Sequence, residues 1–586
     1  MGAFILFDKN KKRELDTEAV RSVFSNKGFS EPNVFSFSGN ELWLYKKQLV
    51  EAENYYSDGE NSIYVVGTIV YKGLGYRETI RQLLGDCILG TIEYGRLIGS
   101  YCAIFFVDGK VSVLNDALNV CELFTDTGER FISSSFLAAA NAVGRLTINT
   151  NASMEKLLTG YIVGEDTLFN EVKRLIPFVY QGQWNIKKWD PLAVPEADTI
   201  RERSVEDRAE AVKGYLKDIE KLAEEYKPEL GLSGGYDSRL IFAAAQSAWP
   251  FKLDIHTHST EGVKIHSIEK EIVKEIAKKT GTTLNVVPTH NLDYYPGDEI
   301  ESILKDGYYY FDGRCAYNMG AFSPTYTRKY KDDTISGHGL TLNGLGGEVY
   351  RNYYMNIKPF VSTKQWMKAK VYPDGVDYVV NKDSFNDIHA YICGKMNRLL
   401  PFIWGKWISA FQIRRYYSEM RMPDCNGLNC NANNQVEFYL TPFIEKSMIT
   451  DAYKARKYSK TGELQAEMIM RLSPQIASFN SHYGFSFDQK EPIKYRIYSF
   501  IRGVLPDSIW NYRINRTVQK SFSLNGNKVY FERVREKCPF LEEAASYTEK
   551  LFPEINFDYL RTDYAMMPNS SYVSVVFYML KDRIEG

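Results

Sequence analysis

In residues 1–192, short apolar runs rich in Val, Ile, Tyr and Phe alternate with turn residues, which is typical of β-strands. Ser62–Tyr71 and Tyr101–Leu114 are the clearest runs, and the second is interrupted at Asp108-Gly109, a pair that favours a hairpin turn. Between the two runs, Tyr76–Leu89 places its apolar residues at helical spacing. The pattern predicts a β-rich N-terminal region that also contains helix.

From residue 205 onward, helical and strand-like patterns alternate along the chain. Residues 205–226 place Val, Leu, Ile and Tyr at helical spacing, with charged residues on the remaining positions. Strands that alternate with helices favour a parallel sheet covered by helices. The further predicted elements are strands at Leu230–Leu232, Lys252–His256 and Leu284–Val287, and helices at Arg239–Ala248 and Ile268–Lys279.

The composition becomes that of a loop around Val194-Pro195, which suggests a boundary between domains. A chain of 586 residues is long enough for two large domains. We therefore predict an α/β protein with domains at residues 1–192 and 200–586. Beyond Val361 the pattern is mostly helical, and Leu399–Met420 is its most apolar part.

A glycine-rich loop, Ser-Gly-Gly-Tyr-Asp-Ser, lies between the strand that ends at Leu232 and the helix that follows. Its glycines let backbone N–H groups approach an anion, and the start of the helix adds a favourable dipole. The serine hydroxyls add donors, and Asp237 can hold a magnesium ion against phosphate oxygens. It is not a Walker A loop, because no Gly-Lys-Ser/Thr follows at the required spacing. The alternative is an ordinary turn. The predicted nucleotide-binding residues are Leu232, Ser233, Gly234, Gly235, Asp237 and Ser238.

With this loop as its most specific motif, most of the chain resembles the asparagine synthetase B family, whose relatives include β-lactam synthetases and lasso-peptide cyclases. The loop itself resembles the pyrophosphate loop of ATP pyrophosphatases. The other segments that resemble the family are Leu157–Pro177, which would join two domains, the helix Glu271–Thr282, the glycine-rich acidic segment Gly346–Tyr350, and Glu419–Pro423 with Tyr439–Glu445.

The resemblance implies a fold and a reaction. The fold would be an Ntn-hydrolase-like αββα sandwich of the glutamine amidotransferase type, followed by a PP-loop ATP pyrophosphatase domain (adenine nucleotide α-hydrolase-like) with a helical C-terminal part. The reaction would use ATP and Mg²⁺ to adenylate a carboxylate and release pyrophosphate, after which an amine displaces AMP to form an amide. The substrates would be a small-molecule or peptide carboxylate and an amine donor.

The N-terminal domain departs from the family at its nucleophile. A glutaminase of this type exposes Cys as its mature first residue, so that its own α-amine can act as the base. Gly2 has no nucleophile, and Cys87 and Cys102 cannot replace it because neither carries a free α-amine. We therefore expect no glutamine hydrolysis, and an amine that comes from free ammonia, a partner or an amine-bearing substrate.

Several further residues receive roles through the resemblance. Asp237 and Glu348 would hold magnesium, although Glu348 can also be read as a solvated loop residue. Lys520 resembles a C-terminal lysine that lies over the adenylate, with Arg513 and Arg516 as other candidates and an exposed basic loop as the alternative. Gly346 and Gly347 would line the nucleotide site.

The histidines leave alternatives open. In one register, His338 stands where relatives place a residue that handles the amine, and its pKa range suits a base. In the other, Asn343–Glu348 fills the whole motif and His338 is only nearby. His256 is assigned to the adenine side of the nucleotide site or to the core, rather than to a metal pair with His258.

Charge and hydropathy exclude some classes of function. The formal net charge of -1 argues against a general electrostatic grip on nucleic acid or on a membrane surface. No apolar stretch reaches the roughly 18 residues of a membrane span, and the start of the chain lacks the pattern of a signal peptide. The 8 scattered cysteines read as reduced thiols. We therefore expect a cytoplasmic protein, with a homodimer or a partner biosynthetic protein left open.

The leading hypothesis is an AMP-forming amide ligase without its own glutaminase. The alternatives are a lasso-peptide or lactam-type cyclase, a non-catalytic ATP-binding scaffold, and a tRNA-modifying pyrophosphatase. The last usually needs a cysteine pair and a basic RNA surface, which neither the scattered cysteines nor the net charge provides.

Overall fold

The computed structural model of the protein describes most of the chain. The described residues are 2–37, 39–177, 180–187, 203–260, 264–314, 324–325, 327–334, 337–351, 353, 360–372, 376–399, 405–454, 462–493, 496–497, 500–501, 527–557 and 567–586. Within them the fold is mixed α/β with several sheets, one of them parallel. No helix of the described ranges is both long and apolar enough to cross a membrane.

The N-terminal part, up to residue 187, is built mainly from antiparallel strands. Its strands are β1 (Ala3–Asp8), β2 (Asn33–Phe37), β3 (Asn40–Tyr45), β4 (Tyr55–Ser57), β5 (Ser62–Gly67), β6 (Val70–Tyr71), β7 (Leu97–Ile98), β8 (Tyr101–Val107), β9 (Lys110–Asn115), β10 (Leu123–Asp126), β11 (Phe131–Ser133), β12 (Val172–Leu175) and β13 (Ile186–Lys187). Its helices are α1 (Thr17–Asn26), α2 (Tyr76–Leu89), α3 (Phe136–Ala142) and α4 (Thr150–Thr159).

Two sheets of this part stack face to face between layers of helix. One has the strand order β12-β10-β11-β1-β3-β2 and the other the order β13-β9-β8-β5-β4. Because side chains alternate between the faces of a strand, Phe4 and Leu6 of β1 pack with Val66 and Ile104 of the opposite sheet. The outer faces meet helices, with α1 and α3 on the first sheet and α2 on the second. The layers are therefore helix, sheet, sheet and helix.

The hairpin predicted at Asp108-Gly109 is confirmed. The two residues have φ angles of 51° and 72°, so both are left-handed, and they join β8 to β9 with the pairing Val107 to Lys110. Two left-handed residues in succession match the twist of the flanking strands. The helix predicted at Tyr76–Leu89 is also confirmed, and it ends at Gly90 with φ 69°.

The C-terminal part, from residue 203, contains the parallel sheet and most of the helices. Its strands are β14 (Pro228–Gly231), β15 (Asp254–Thr260), β16 (Leu284–Thr289), β17 (Leu340–Leu342), β18 (Phe360–Ser362), β19 (Trp407–Ser409) and β20 (Phe438–Leu440). Its helices are α5 (Val205–Asp218), α6 (Glu220–Tyr226), α7 (Tyr236–Ala248), α8 (Lys264–Thr280), α9 (Gly297–Tyr310), α10 (Arg328–Thr334), α11 (Thr363–Lys370), α12 (Val376–Val379), α13 (Lys382–Leu399), α14 (Ala410–Arg415), α15 (Leu428–Asn434), α16 (Lys446–Tyr453), α17 (Glu463–Leu472), α18 (Pro474–Ala477), α19 (Asn527–Lys537), α20 (Pro539–Leu551), α21 (Met567–Met579) and α22 (Lys581–Glu585).

The parallel sheet has the strand order β16-β15-β14-β17-β20, and each neighbouring pair is parallel. β14 comes first in the chain and lies at the centre. The chain then builds outward through β15 and β16 on one side, and through β17 and β20 on the other. The order reverses at β14, and in open α/β sheets ligands bind beyond the carboxyl ends of the strands at such a point.

Two predicted elements differ in the structure. The single helix predicted over residues 205–226 is two helices, because Ile219 leaves the helical conformation at φ -104° and ψ 5°. The break keeps both Ile219 and Leu222 fully buried. Within Leu399–Met420, residues 407–409 form a strand rather than helix, because Trp407–Ser409 pairs with Phe360–Ser362.

The two parts of the chain pack against each other over a continuous hydrophobic core. Tyr76 of α2 meets Phe438 of β20 with the ring centroids 5.0 Å apart. At the same interface, Thr68 donates through Oγ1 to Asn434 Oδ1 at 2.5 Å. The boundary predicted between residues 192 and 200 lies outside the described residues.

Candidate functional site

The loop Ser233–Ser238 occupies the centre of the parallel sheet. It begins just beyond Gly231, the last residue of β14, and it runs into the first turn of α7, whose N-cap is Gly235. Leu232 is buried, and its N–H donates to the carbonyl of His256 on the neighbouring strand at 2.9 Å. The loop therefore joins the carboxyl end of the central strand to the positive end of a helix, the position that suits an anion.

The two serines of the loop hold its shape. The Ser233 N–H donates to Ser238 Oγ at 3.0 Å, and the two hydroxyl oxygens lie 3.1 Å apart. The Gly235 N–H points to Ser233 Oγ at 3.3 Å. These bonds fix the turn without any side chain at Gly234 or Gly235, where the loop backbone packs against His482.

A second glycine-rich loop, residues 343–348, follows the neighbouring strand β17 and packs onto the first. A Cβ atom added at Gly344 would lie 2.6 Å from the Ser238 nitrogen, and one at Gly347 would lie 2.2 Å from Asp237 Oδ1. Gly346 has a φ of 86°, in the left-handed region. Gly344 thus meets the backbone of the first loop and Gly347 meets the Asp237 side chain, so neither position has space for a Cβ atom. Asp237, Gly346, Gly347 and Glu348 are thus brought together.

Asp237 is held by two side chains from distant parts of the chain. Its Oδ2 accepts from Arg351 Nη2, and its Oδ1 accepts from Gln465 Nε2, both at 2.5 Å. Burial raises the pKa of Asp237 above its ordinary value and nearby Glu348 adds to the increase, while the Arg351 guanidinium opposes it. The carboxylate at the start of α7 is therefore half-buried, paired and fixed in orientation.

Glu348 faces the same guanidinium. Its Oε1 lies 3.9 Å from Arg351 Nη2, and its Oε2 accepts from the Tyr417 hydroxyl at 3.1 Å. One Arg351 nitrogen therefore lies between two carboxylates, and the space between such groups favours a positive charge, whether from a guanidinium or from a metal ion. Oxygen donors are the ligands that Mg²⁺ prefers, usually one or two carboxylates plus phosphate oxygens and water. The residues present fit a magnesium ion, with Asp237 and Glu348 as the groups that would hold it.

The imidazole of His482 lies against the glycines of the first loop. Cβ atoms at Gly234 and at Gly235 would each lie 3.2 Å from an atom of the ring, and the backbone N–H of His482 donates to the Gly234 carbonyl at 3.2 Å. Its Nδ1 is 3.0 Å from Glu269 Oε1 on α8. His482 therefore lies beside any anion that the loop would hold.

A buried arginine on α7 fixes the segment that carries His482. Arg239 donates through its guanidinium to the carbonyls of Phe479 and Asn480 at 2.9 Å and 2.8 Å. It also lies over the Phe487 ring, 4.6 Å from the centroid. Burial lowers the pKa of Arg239 to about 10, so the guanidinium stays charged at neutral pH. The segment before His482 is thus anchored to the helix that starts at the loop.

The predicted residue His256 lies next to the loop but is engaged elsewhere. A Cβ atom at Gly231 would lie 3.2 Å from His256 Nε2, which places the imidazole at the end of β14. Its Nδ1 lies 3.1 Å from Glu229 Oε1. The side chain borders the loop Ser233–Ser238 and is paired with Glu229.

His338 is not brought to the loop. It precedes β17, and its Nε2 lies 3.1 Å from Oδ2 of Asp254, the first residue of β15. β14 and β17 are parallel and in register, so His338 is at their amino ends while Ser233 lies beyond their carboxyl ends. At about 3.3 Å per residue, a strand length of roughly 13 Å separates the two ends. The sequence allowed either His338 or the segment 343–348 to be aligned with the family's site. In the structure, the segment 343–348 is the one that lies at the loop, and it brings Glu348 there.

Lys520 and its alternatives Arg513 and Arg516 lie outside the described residues, and no structural role is assigned to them. Four residues of the site were not recognised from the sequence, namely Arg351, Tyr417, Gln465 and His482. Arg351 had a local signal in the sequence. It stands three positions after Glu348, directly after the one-turn helix Gly347–Tyr350, and this spacing lets the two side chains meet. Gln465 lies 228 residues from its partner Asp237, and nothing in its own sequence surroundings marks it.

The space around Gly2, where the resemblance to the asparagine synthetase B family would place a nucleophile, is closed. A Cβ atom at Gly2 would lie 2.3 Å from the Phe29 ring and 2.4 Å from the Lys46 carbonyl oxygen. Gly2 borders a cavity of only about 30 Å³ that Glu122 and Arg314 also line. Although burial raises the pKa of Glu122, its ion pairs with Arg314 and Arg174 hold that pKa below its ordinary value. A buried ion pair therefore occupies the space in front of Gly2.

Comparison with known proteins adds no identity to this site. A scan against protein-family models gives no match, and a search of curated proteins gives none either.

Proposed function

We propose that this chain is an ATP-dependent, AMP-forming amide ligase, which adenylates a carboxylate and transfers it to an amine that is not released from glutamine within the same chain. One observation carries the proposal. The loop Ser233–Ser238 lies at the switch point of a parallel sheet, at the start of α7, with the second glycine-rich loop packed on it. This arrangement combines an anion site with two carboxylates, Asp237 and Glu348, on one edge.

The side chains around the loop suit the transfer of a nucleotidyl group. The backbone N–H groups and the helix dipole would bind pyrophosphate oxygens. Arg351 and His482 border the same space and can donate to the charge that develops as pyrophosphate leaves. Bound magnesium would neutralise phosphate charge and orient the phosphates. Asp237 and Glu348 are the residues that would hold it.

The proposed reaction has two balanced steps. A carboxylate oxygen attacks the α-phosphorus of ATP, the bond to the bridging oxygen of the β-phosphate breaks, and pyrophosphate leaves. The amine then attacks the acyl carbon, the bond from that carbon to the AMP oxygen breaks, and the amine loses a proton as the amide forms. We do not assign that proton to His338, because its imidazole lies at the opposite end of β17 and is paired with Asp254.

The source of the amine follows from the N-terminal part. Gly2 offers no nucleophile, and the ion pair of Glu122 with Arg314 fills the adjacent space. The amine is therefore proposed to come from free ammonia, from a partner, or from a substrate that carries it.

Analysis of nucleotide products tests the proposal. Purified protein is given ATP, magnesium and pooled carboxylates and amines, and the products are separated by anion-exchange chromatography. The variant Asp237→Ala removes the paired carboxylate, and Asp298→Ala, at an exposed position of α9, is the matched control. We expect AMP and pyrophosphate from the wild type and the control only.

Other outcomes separate the alternatives. ADP and phosphate would contradict adenylation, and bound but unconverted ATP would favour the non-catalytic scaffold. If AMP forms and the product is an internal amide of one substrate molecule, the chain is a cyclase of the lasso-peptide or lactam type.

A further inference from the structure

A large cleft opens between the two parts of the chain, and the proposed reaction does not use it. Its volume is about 520 Å³, and none of its lining residues belongs to the loops 233–238 or 343–348. One wall comes from the segment that contains β7 and the start of β8, and the other from α5 and α16. Sites for small molecules commonly have volumes of about 300 to 1,000 Å³ and lie between domains.

The rim of the cleft carries an excess of positive charge. Its charged side chains are the cations Arg96, Arg203, Lys446 and Lys454 and the carboxylates Asp218, Asp451 and Glu445. Asp451 already accepts from a buried arginine outside the rim, Arg208, at 2.9 Å, as well as from Arg203 at 2.9 Å. Asp218 is 3.8 Å from Arg96. The lining therefore carries four cations against three carboxylates, of which Asp451 is shared with Arg208, and a concave surface concentrates the resulting field.

The third carboxyl group, Glu445, adds little negative charge at neutral pH. It accepts from the Gly99 N–H at 2.9 Å, and the Tyr215 hydroxyl lies 3.5 Å from the same oxygen. Burial, with nearby Asp116, raises the pKa of Glu445 to about 8. At pH 7 the group is mostly protonated, so it can donate a hydrogen bond to a ligand.

The floor of the cleft offers a further donor. Tyr101 is only 1% exposed, and its hydroxyl has no hydrogen-bond partner among the described residues. A buried hydroxyl without a partner is unfavourable, because it has lost its hydrogen bonds to water. A ligand that supplies an acceptor to this hydroxyl would remove that cost. The unsatisfied group points to an absent ligand, independently of the charge at the rim.

We propose that this cleft binds a small anionic molecule, with a carboxylate or phosphate group at the cationic rim and an oxygen acceptor directed to the floor. Such a ligand contacts the N-terminal part through Arg96 and Tyr101 and the C-terminal part through Lys454. Its binding therefore stabilises the contact between the two parts. The site is separate from the nucleotide-binding loop and does not depend on the proposed ligase activity.

Isothermal titration with two probes, citrate and glucose 6-phosphate, tests the site and distinguishes a carboxylate from a phosphate ligand. We expect at least one probe to bind the wild type and to bind Arg96→Gln and Lys454→Gln roughly tenfold or more weakly, because each variant loses a charged contact. Arg77→Gln, at an exposed position of α2, is the matched control. Asp237→Ala is expected to bind the probe like the wild type, since the nucleotide-binding loop is not involved.

Tyr101→Phe tests the floor. The hydroxyl has no partner among the described residues, so its removal is expected to leave the melting temperature unchanged or higher while it weakens probe binding. Failure of both probes to bind at 10 mM (an order-of-magnitude limit, about 3 kcal/mol of binding) overturns the proposal. Equal affinity in the wild type, Arg96→Gln and Lys454→Gln overturns it as well.

Discussion

Arg351 Nη2 lies 2.5 Å from Asp237 Oδ2 and 3.9 Å from Glu348 Oε1, so one guanidinium serves both carboxylates of the candidate site. The three groups come from the start of α7 and from the turn after β17. In the free protein the arginine supplies part of the positive charge that a metal ion would supply in the proposed nucleotide complex. One guanidinium offsets only one of the two carboxylates, so the three groups leave a negative charge that would favour a cation.

Replacement of Arg351 by Gln is expected to shift the pH dependence of AMP formation. The guanidinium opposes the increase in the pKa of Asp237, so its loss raises that pKa further. Less of the carboxylate is then ionised at a given pH, and the acid limb of kcat/KM moves to higher pH. The profile is measured between pH 5 and 9 beside the Arg77→Gln control. An acid limb at the same pH in Arg351→Gln and the wild type would argue against this role of Arg351.

Gly347→Ala is expected to abolish nucleotide binding. The new methyl group would lie 2.2 Å from Asp237 Oδ1, so either the carboxylate or the loop must move. Overpacking of this kind costs about 1 to 3 kcal/mol of folding free energy. Equilibrium dialysis with ATP and magnesium measures binding, and thermal unfolding measures stability.

Gly85→Ala is the matched control for that substitution. Gly85 is within α2, and nothing among the described residues lies within 4 Å of an added Cβ. The control is expected to bind nucleotide normally and to be more stable by about 0.5 to 1 kcal/mol, because Ala is favoured in helices. Normal ATP binding by Gly347→Ala would contradict the contact between the two loops.

Gly2→Cys is expected not to create a glutaminase. The added side chain would collide with Phe29 and with the Lys46 carbonyl, and the Glu122–Arg314 pair leaves no space for glutamine. Release of glutamate from glutamine is measured by a coupled dehydrogenase assay, with Gly2→Ala as the control for the steric effect alone. Glutamate release by Gly2→Cys above that control would show that the pocket can open.

The stability of the fold is expected to fall as the pH rises because of Glu445. Its folded pKa of about 8 is above its ordinary value of 4.5, so the folded state keeps a proton that the unfolded state loses. The stability from that bound proton is complete below the unfolded pKa and declines as the pH rises toward 8. In Glu445→Gln this decline is absent, so the melting temperature falls less between pH 5 and 8.5 than in the wild type. Parallel curves for the two proteins would contradict the assignment.

The central loop could be predicted from the sequence because all of its determinants are local. Glycines, serines and Asp237 stand within six positions, and the strand before them and the helix after them have clear periodicity. Arg351 and Gln465 could not be recognised in this way, because they reach Asp237 across 114 and 228 residues. Only the folded topology places them together.

The position of His338 and the strand at residues 407–409 were difficult to predict from the sequence for a related reason. Both depend on pairing between strands of three or four residues, β17 with β14 and β19 with β18. Strands this short carry little periodicity of their own, and their partners are remote in the chain. The sequence therefore left the role of His338 open, and it predicted helix where a strand is found.

Two buried lysines tie the N-terminal and C-terminal parts together, so neither part can be removed without breaking buried contacts of the other. Lys47 of the N-terminal part donates to the carbonyl oxygens of Asn434 and Glu437, while Lys395 of the C-terminal part pairs with Glu155 at 2.5 Å and Asp166 at 3.1 Å. A fragment that begins at residue 203 would leave Lys395 without either carboxylate, a loss of about 3 to 5 kcal/mol for a broken buried pair. The N-terminal part thus supplies the counter-charges that the C-terminal part needs to fold, whatever chemistry the N-terminal part itself performs.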